Sequence, residues 1–136
     1  MYATVQHITD RYGQDALILL TDRQGTGAID TDVVDQALRD ASAEIDTYLA
    51  AKYSLPLSLV PDVLVRLCVD IVMYRLAADR DLGTEERRKR YDDATALLTR
   101  IAKGLVSLGV PTPPASSNGV AFVQGPKRRF GRGKLL

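Results

Sequence analysis

The fold is decided by residues 61–79, which read PDVLVRLCVDIVMYRLAAD. Pro61 suits the start of a helix, where its missing N–H group has no partner to lose. The apolar side chains that follow leave only a narrow polar strip, formed by Asp62, Arg66 and Asp70. A helix that is apolar on most of its faces is typical of the centre of a bundle. This stretch therefore predicts the central helix of an all-α fold.

Amphipathic segments flank the central helix on both sides. The segment that begins at Asp30 or Thr31 and ends near Lys52 places a continuous apolar stripe on one face. The segment from Thr84 to Leu108 repeats apolar side chains every three or four residues, the spacing of a helix–helix seam. A short helix is expected over residues 4–12, and one or two helical turns over residues 16–20. We predict a small helical bundle of three principal helices plus a short N-terminal helix.

Charge divides the chain into two parts. Residues 1–110 hold 13 basic and 17 acidic side chains, whereas residues 111–136 hold five basic side chains and no acidic one. The second part also contains four of the six prolines. A segment of this composition cannot bury enough apolar surface to offset the entropy lost on ordering. We predict a helical domain over residues 1–110 and an extended, flexible, basic C-terminal arm over residues 111–136.

The arm contains the candidate binding residues. The motif KRRFGRGK, residues 127–134, mixes basic side chains with an aromatic one. Such a motif suits a nucleic-acid backbone. It equally suits an acidic groove, with Phe122 and Phe130 as anchors and residues 120–123 added as a strand to a partner's sheet. A merely solubilising end is the third interpretation. The candidate partner-binding residues are Phe122, Lys127, Arg128, Arg129, Phe130, Arg132 and Lys134.

The sequence offers little for catalysis. A nucleophile needs a base within hydrogen-bond reach, and the one histidine, His7, lies on the short terminal helix, away from the one cysteine, Cys68. We expect a structural role for His7 and a buried, inert thiol at Cys68. A conventional zinc site is excluded by the same counts, and a calcium loop counted from Asp22 lacks the required ligands. The predictions are no enzyme activity, no cofactor and no metal.

Two charged groups in the helical domain each allow two interpretations. The basic run Arg87–Arg90 is flanked by acidic residues, so it is either a solvated helix start or a surface for phosphates or an acidic partner. Asp62, Arg66 and Asp70 are spaced by four residues, which permits two ion pairs along one face. This strip is either the solvent-facing edge of the central helix or a contact between subunits.

The chain resembles the Mu-like prophage head-completion proteins, which belong to the tailed-phage group of head–tail connectors or adaptors. The resemblance covers nearly the whole chain in the right order. Its motifs are MYAT…ITDRYG…LTD (residues 1–22), YSLPL (53–57), VPDVLVRL (60–67), DIVMYRL (70–76), RYDDATALLTRIAKGLVSLG (90–109) and FGRGKL (130–135).

The resemblance implies a structural protein of the virion head–tail junction, made in the bacterial host cytoplasm. Subunits would be monomeric in isolation and would form a ring on the portal protein through mutual contacts and docking of the arm. A tail-side connector or stopper protein would be the other partner. DNA would pass through the channel without specific recognition, and no membrane is involved. The alternative is a small cytoplasmic DNA-binding protein that grips phosphates with its basic tail, with an affinity that falls steeply with salt.

Overall fold

The computed structural model describes residues 1–111, and this part of the chain is all-helical. Two short helices precede three long ones, so the predicted all-α bundle is confirmed. The arm beyond Pro111, including the expected strand at residues 120–123, lies outside the described residues. No helix within residues 1–111 is long and apolar enough to cross a membrane. The helices are α1 (Val5–Tyr12), α2 (Gln14–Thr21), α3 (Thr31–Leu49), α4 (Asp62–Asp79) and α5 (Glu85–Ala102).

The central helix is α4, as the sequence predicts. It contacts each of the other four helices and has more buried residues than any of them. Leu64, Leu67, Ile71 and Leu76 are almost completely shielded from water. Full burial of such a side chain contributes ~1.5–3 kcal/mol relative to an exposed position. The other helices fold around α4 because it offers apolar surface on nearly every side.

Helix α3 begins where the sequence predicts and ends three residues earlier than predicted. The Asp30 carboxylate accepts hydrogen bonds from the backbone N–H groups of Asp32 and Val33, at 3.1 and 3.4 Å. After Leu49 the backbone closes into a turn, in which Lys52 and Tyr53 both donate to the Leu49 carbonyl. This turn brings the Tyr53 ring into the core. The expected end at Lys52 is therefore wrong, because burial of Tyr53 favours a tighter turn over continuation of the helix.

Helix α5 ends at Ala102, whereas the sequence pattern predicts Leu108. Gly104 adopts a left-handed conformation, with φ of 79°. Its N–H group donates to the carbonyl of Ile101 at 3.0 Å, and the N–H group of Leu105 donates to that of Arg100 at 2.9 Å. These two bonds form a Schellman cap, which satisfies carbonyls at the end of a helix. Leu105, predicted to lie in the helix seam, is consequently 71% exposed.

The expected helical turns at residues 16–20 form part of a full two-turn helix, α2. Gly13 separates α1 from α2 with a φ of 88°, and both short helices pack against α3 and α4. The hydroxyl of Thr21 donates to the Leu17 carbonyl and accepts from the Asp30 N–H group. This bridge joins the end of α2 to the start of α3. The N-terminal segment thereby becomes part of the bundle core.

Candidate functional site

The seven arm residues predicted to bind a partner, Phe122 to Lys134, lie outside the described residues. The candidate site is therefore sought among the charged groups of the helical domain. Three features stand out there: an arginine cluster around Tyr12, a largely buried glutamate that joins three helices, and a groove between α3 and α4.

The arginine cluster is built around a hydrogen-bonded chain that joins α1, α4 and α5. The Tyr12 hydroxyl donates to the Asp70 carboxylate at 2.9 Å and accepts from the Arg90 guanidinium at 2.8 Å. Arg66 lies 3.7 Å from the other Asp70 oxygen. Burial, and then the hydrogen bond to Asp70, raise the pKa of Tyr12. Each polar group of this chain has a partner, as buried polar groups require.

Arginines surround this chain on the protein surface. Arg11, Arg66 and Arg90 line a concavity of about 370 Å³, with Tyr12 and Asp70 at its base. The Arg90 guanidinium also lies over the Tyr12 ring, 5.5 Å from its centroid. Arginine binds carboxylates and phosphates through its planar fork of N–H groups. The arginine cluster, meaning Arg11, Arg66 and Arg90, is thus chemically suited to an anionic group.

The structure bears on the interpretations of two charged groups: the strip of Asp62, Arg66 and Asp70, and the run Arg87–Arg90. The interpretation of Asp62, Arg66 and Asp70 as a solvent-facing edge is wrong for Asp70, because Tyr12 covers its carboxylate and leaves the residue 9% exposed. The sequence pattern could not show this, since Tyr12 lies 58 residues away. The run Arg87–Arg90 is a solvated helix start, in which Arg90 pairs with Glu86 at 2.5 Å.

A second polar group, which the sequence analysis missed, ties the three long helices together. The Glu44 carboxylate of α3 accepts hydrogen bonds from the Arg75 guanidinium of α4 and, at 2.8 Å, from the Tyr91 hydroxyl of α5. The Tyr91 ring stacks on Tyr74, with ring centroids 4.2 Å apart. Desolvation, and then the hydrogen bond to Glu44, raise the pKa of Tyr91 to about 12. This arrangement fixes the relative positions of α3, α4 and α5.

The acidic groove lies between the N-terminal half of α3 and the C-terminal half of α4. It has a volume of about 490 Å³, and the carboxylates of Asp32, Asp40 and Asp79 stand along it. These carboxylates have no ion-pair partner among residues 1–111. The groove also contains apolar and aromatic groups and two arginines: Val33, Ala37, Tyr74, Leu76 and Ala78, with Arg23 and Arg75.

The residues considered for catalysis or metal binding, Cys68, His7 and Asp22, have structural roles. Cys68 is fully buried, with its Sγ 3.9 Å from the Ser42 hydroxyl, and burial raises the pKa of the thiol to about 11. His7 accepts a hydrogen bond from the Thr4 N–H group at 3.1 Å as part of the cap of α1. The Asp22 carboxylate accepts hydrogen bonds from the N–H groups of Thr26 and Gly27, so it has a structural role in the turn after α2. No cluster of three or more potential metal ligands occurs within residues 1–111.

Comparison with known proteins identifies the relationship. Residues 2–124 match the family described as "Bacteriophage Mu, Gp36". The chain belongs to the bacteriophage Mu Gp36 family. Gp36-family relatives include the Mu-like prophage FluMu protein gp36 of Haemophilus influenzae, 36% identical over 110 residues that cover 81% of this chain and 77% of the relative. Gene product J of Escherichia phage Mu is 38% identical over 117 residues, which cover 85% of this chain and 82% of the relative.

The Gp36 match confirms the predicted relationship to Mu-like prophage proteins. It includes both polar clusters and the acidic groove, and it reaches Phe122 in the arm. The basic motif at residues 127–134 lies beyond the matched residues. The names of the two relatives do not mention head completion, so that role stays a proposal.

Proposed function

We propose that this Gp36-family protein is a non-catalytic head–tail connector, which forms a ring on the portal protein of a Mu-like phage particle. The observation that carries the proposal is the family match over residues 2–124. In this role the protein would also contact a tail-side stopper protein, and DNA would pass through the ring without being read. The site of action would be the head–tail junction of the virion.

The internal polar clusters support a role as a rigid building block. Glu44 holds α3, α4 and α5 together, while Tyr12 fastens α1 onto α4 and α5. Hydrogen bonds between polar groups of different helices favour one arrangement of helices over others, although the Arg75 Nε atom has no hydrogen-bond partner among residues 1–111. A subunit of a symmetric ring needs such a fixed shape, because each contact must repeat with the same geometry around the circle.

Exposed leucines at one end of the bundle suit contacts between subunits. Leu59, in the connection between α3 and α4, is 69% exposed, and Leu105, just after α5, is 71% exposed. Both belong to the end where α3 finishes and α4 begins. Contiguous exposed apolar patches are typical of protein–protein contact sites, and a ring contact at this end would bring both leucines into one. We propose that these two leucines lie between neighbouring subunits, in a head-to-tail contact that closes into a ring.

The proposal is tested by mixing the purified full-length protein with its cognate portal. Complex size is followed by light scattering, and the particles are examined by electron microscopy. A discrete ring added to the portal is expected. The double variant Leu59→Ser, Leu105→Ser should reduce ring formation, whereas Leu19→Ser should not, although Leu19 is 59% exposed. A variant without residues 112–136 tests the contribution of the arm.

Two results would contradict the connector proposal. One is the absence of any portal complex at low and moderate salt. The other is tight DNA binding that weakens steeply with salt and disappears when residues 125–136 are removed. The second result would establish the DNA-binding alternative, because counterion release by the basic motif would then account for the main activity.

A further inference from the structure

We propose that the acidic groove between α3 and α4 is the docking site for the basic motif of the same chain, residues 127–134. The groove lies within residues 1–110, where acidic side chains outnumber basic ones. The motif lies within residues 111–136, where all charged side chains are basic. Docking in the free protein would cover the groove and keep the motif from other partners. This inference concerns the isolated protein and does not rest on the proposed connector role.

Charge complementarity identifies the occupant. Asp32, Asp40 and Asp79 stand along the groove without a cationic partner among residues 1–111. The motif supplies five cations, and no acidic residue follows Pro111. Arginine and carboxylate form strong, bidentate hydrogen bonds when they can approach in one plane. The three groove carboxylates outnumber the two groove arginines, Arg23 and Arg75, so they can pair with cations of the motif within a single chain.

The groove also offers apolar surface for the aromatic residue of the motif. Phe130 lies in the middle of KRRFGRGK, and the groove presents the half-buried side chains of Val33 and Tyr74, whereas Ala37 and Leu76 in its lining are buried. Aromatic pairs add to the free energy gained by burial alone. Gly131 and Gly133 lie in the second half of the motif, so the backbone there can approach the groove closely.

The chain is long enough to make this contact. The Leu108 N–H group donates to the Tyr53 hydroxyl at 3.0 Å, so the arm begins beside the C-terminal end of α3. Ala37 in the groove lies ~18 Å from that end along α3, at 1.5 Å per residue. Residues 112–126 can span up to ~50 Å when extended, which exceeds the distance to the groove.

The concavity at the arginine cluster is a poor alternative site. The arginine cluster presents Arg11, Arg66 and Arg90 to the solvent. Like charges in close contact are unfavourable, so a motif with five cations would be repelled there. Electrostatics thus selects the acidic groove over the arginine cluster.

The experiment places a nitroxide spin label on the motif of the full-length protein, through Gly133→Cys. The native thiol of Cys68 is fully buried with its pKa raised to about 11, so the new cysteine reacts first. Broadening of backbone amide signals is then measured by NMR in two samples. In the first, the label and the ¹⁵N isotope are in the same molecule. In the second, spin-labelled unenriched protein is mixed with unlabelled ¹⁵N protein.

The expected result is broadening of the Ala37 and Ala78 amides in the first sample and not in the second. The triple variant Asp32→Asn, Asp40→Asn, Asp79→Asn should lower the ratio of docked to free motif by about tenfold, or ~1.4 kcal/mol, for the loss of three exposed ion pairs. The matched control is Asp10→Asn, Asp15→Asn, Asp93→Asn. Asp10, like Asp40, accepts from a glutamine four residues earlier, and Asp15, like Asp32, lies in the first turn of a helix.

The control variant should leave the broadening unchanged. The proposal is overturned if the groove amides are not broadened in the first sample, or if the broadening is centred on another surface. Broadening in the mixed sample alone would also overturn it, because the motif would then bind a second copy. Equal weakening by the two triple variants would show that general charge, rather than the groove, attracts the motif.

Discussion

Replacing Glu44 with glutamine preserves the shape of the side chain and removes its charge. The Glu44 side chain is 15% exposed, and its carboxylate accepts from Arg75 and Tyr91. Hydrogen bonds to a charged group contribute ~1.5–3 kcal/mol each, against ~1 kcal/mol for a neutral pair. Glutamine keeps one acceptor oxygen, so the ion pair with Arg75 becomes a hydrogen bond to a neutral amide, and the bond that Tyr91 donates to the carboxylate is lost or reversed. With a discount for Arg75, which is 41% exposed, the free energy of unfolding should fall by ~2 kcal/mol.

The assay is denaturation of the full-length protein in urea, followed by far-ultraviolet circular dichroism. Glu86→Gln is the matched control, because Glu86 also pairs with an arginine, Arg90, but both side chains are largely exposed. Exposed helix pairs contribute ~0.3–0.5 kcal/mol, so this variant should be nearly as stable as the parent protein. The difference between the two variants isolates the effect of burial.

The reasoning is refuted if both substitutions lower the free energy of unfolding by the same amount. It is also refuted if Glu44→Gln costs less than ~0.5 kcal/mol, the value of an exposed pair. Either result would mean that solvent reaches Glu44 freely and that its bonds do not join the three helices. A changed slope of the transition would instead indicate a change in the surface exposed on unfolding.

Three further predictions follow from single residues. With its pKa raised to about 11 from 9.0, native Cys68 should react with a thiol reagent at pH 8 about 100-fold more slowly than in denatured protein. Tyr91 has a pKa of about 12 in the folded protein and 10.0 in the unfolded protein. The stability that this difference contributes is complete below pH 10 and is lost as the pH rises towards 12. Tyr91→Phe should therefore flatten the stability–pH profile between pH 10 and pH 12. Gly104→Ala should cost ~1–2 kcal/mol in thermal denaturation because φ is positive, whereas Gly83→Ala, with open space around it, should cost nothing measurable.

The start of α3 and the end of α5 show where sequence patterns succeed and where they fail. The sequence predicts Asp30 or Thr31 as the cap of α3, because a short polar side chain before an apolar stripe suits a helix start, and the structure shows that the cap is Asp30. The sequence pattern predicts the end of α5 too late, because the apolar spacing continues through Leu105 and Leu108 after the helix has ended. Gly104 was the available signal, since a glycine in the left-handed region ends helices.

The sequence by itself determined the helices, their order and the central position of α4, because periodicity and caps depend on residues within a few turns of each other. The family relationship also follows from the order of motifs along the chain. Tertiary structure alone decided the polar contacts, since the partners are far apart in sequence: Glu44 lies 31 residues from Arg75 and 47 from Tyr91, and Tyr12 lies 58 from Asp70. The acidic groove likewise exists only because packing brings the start of α3 beside the end of α4.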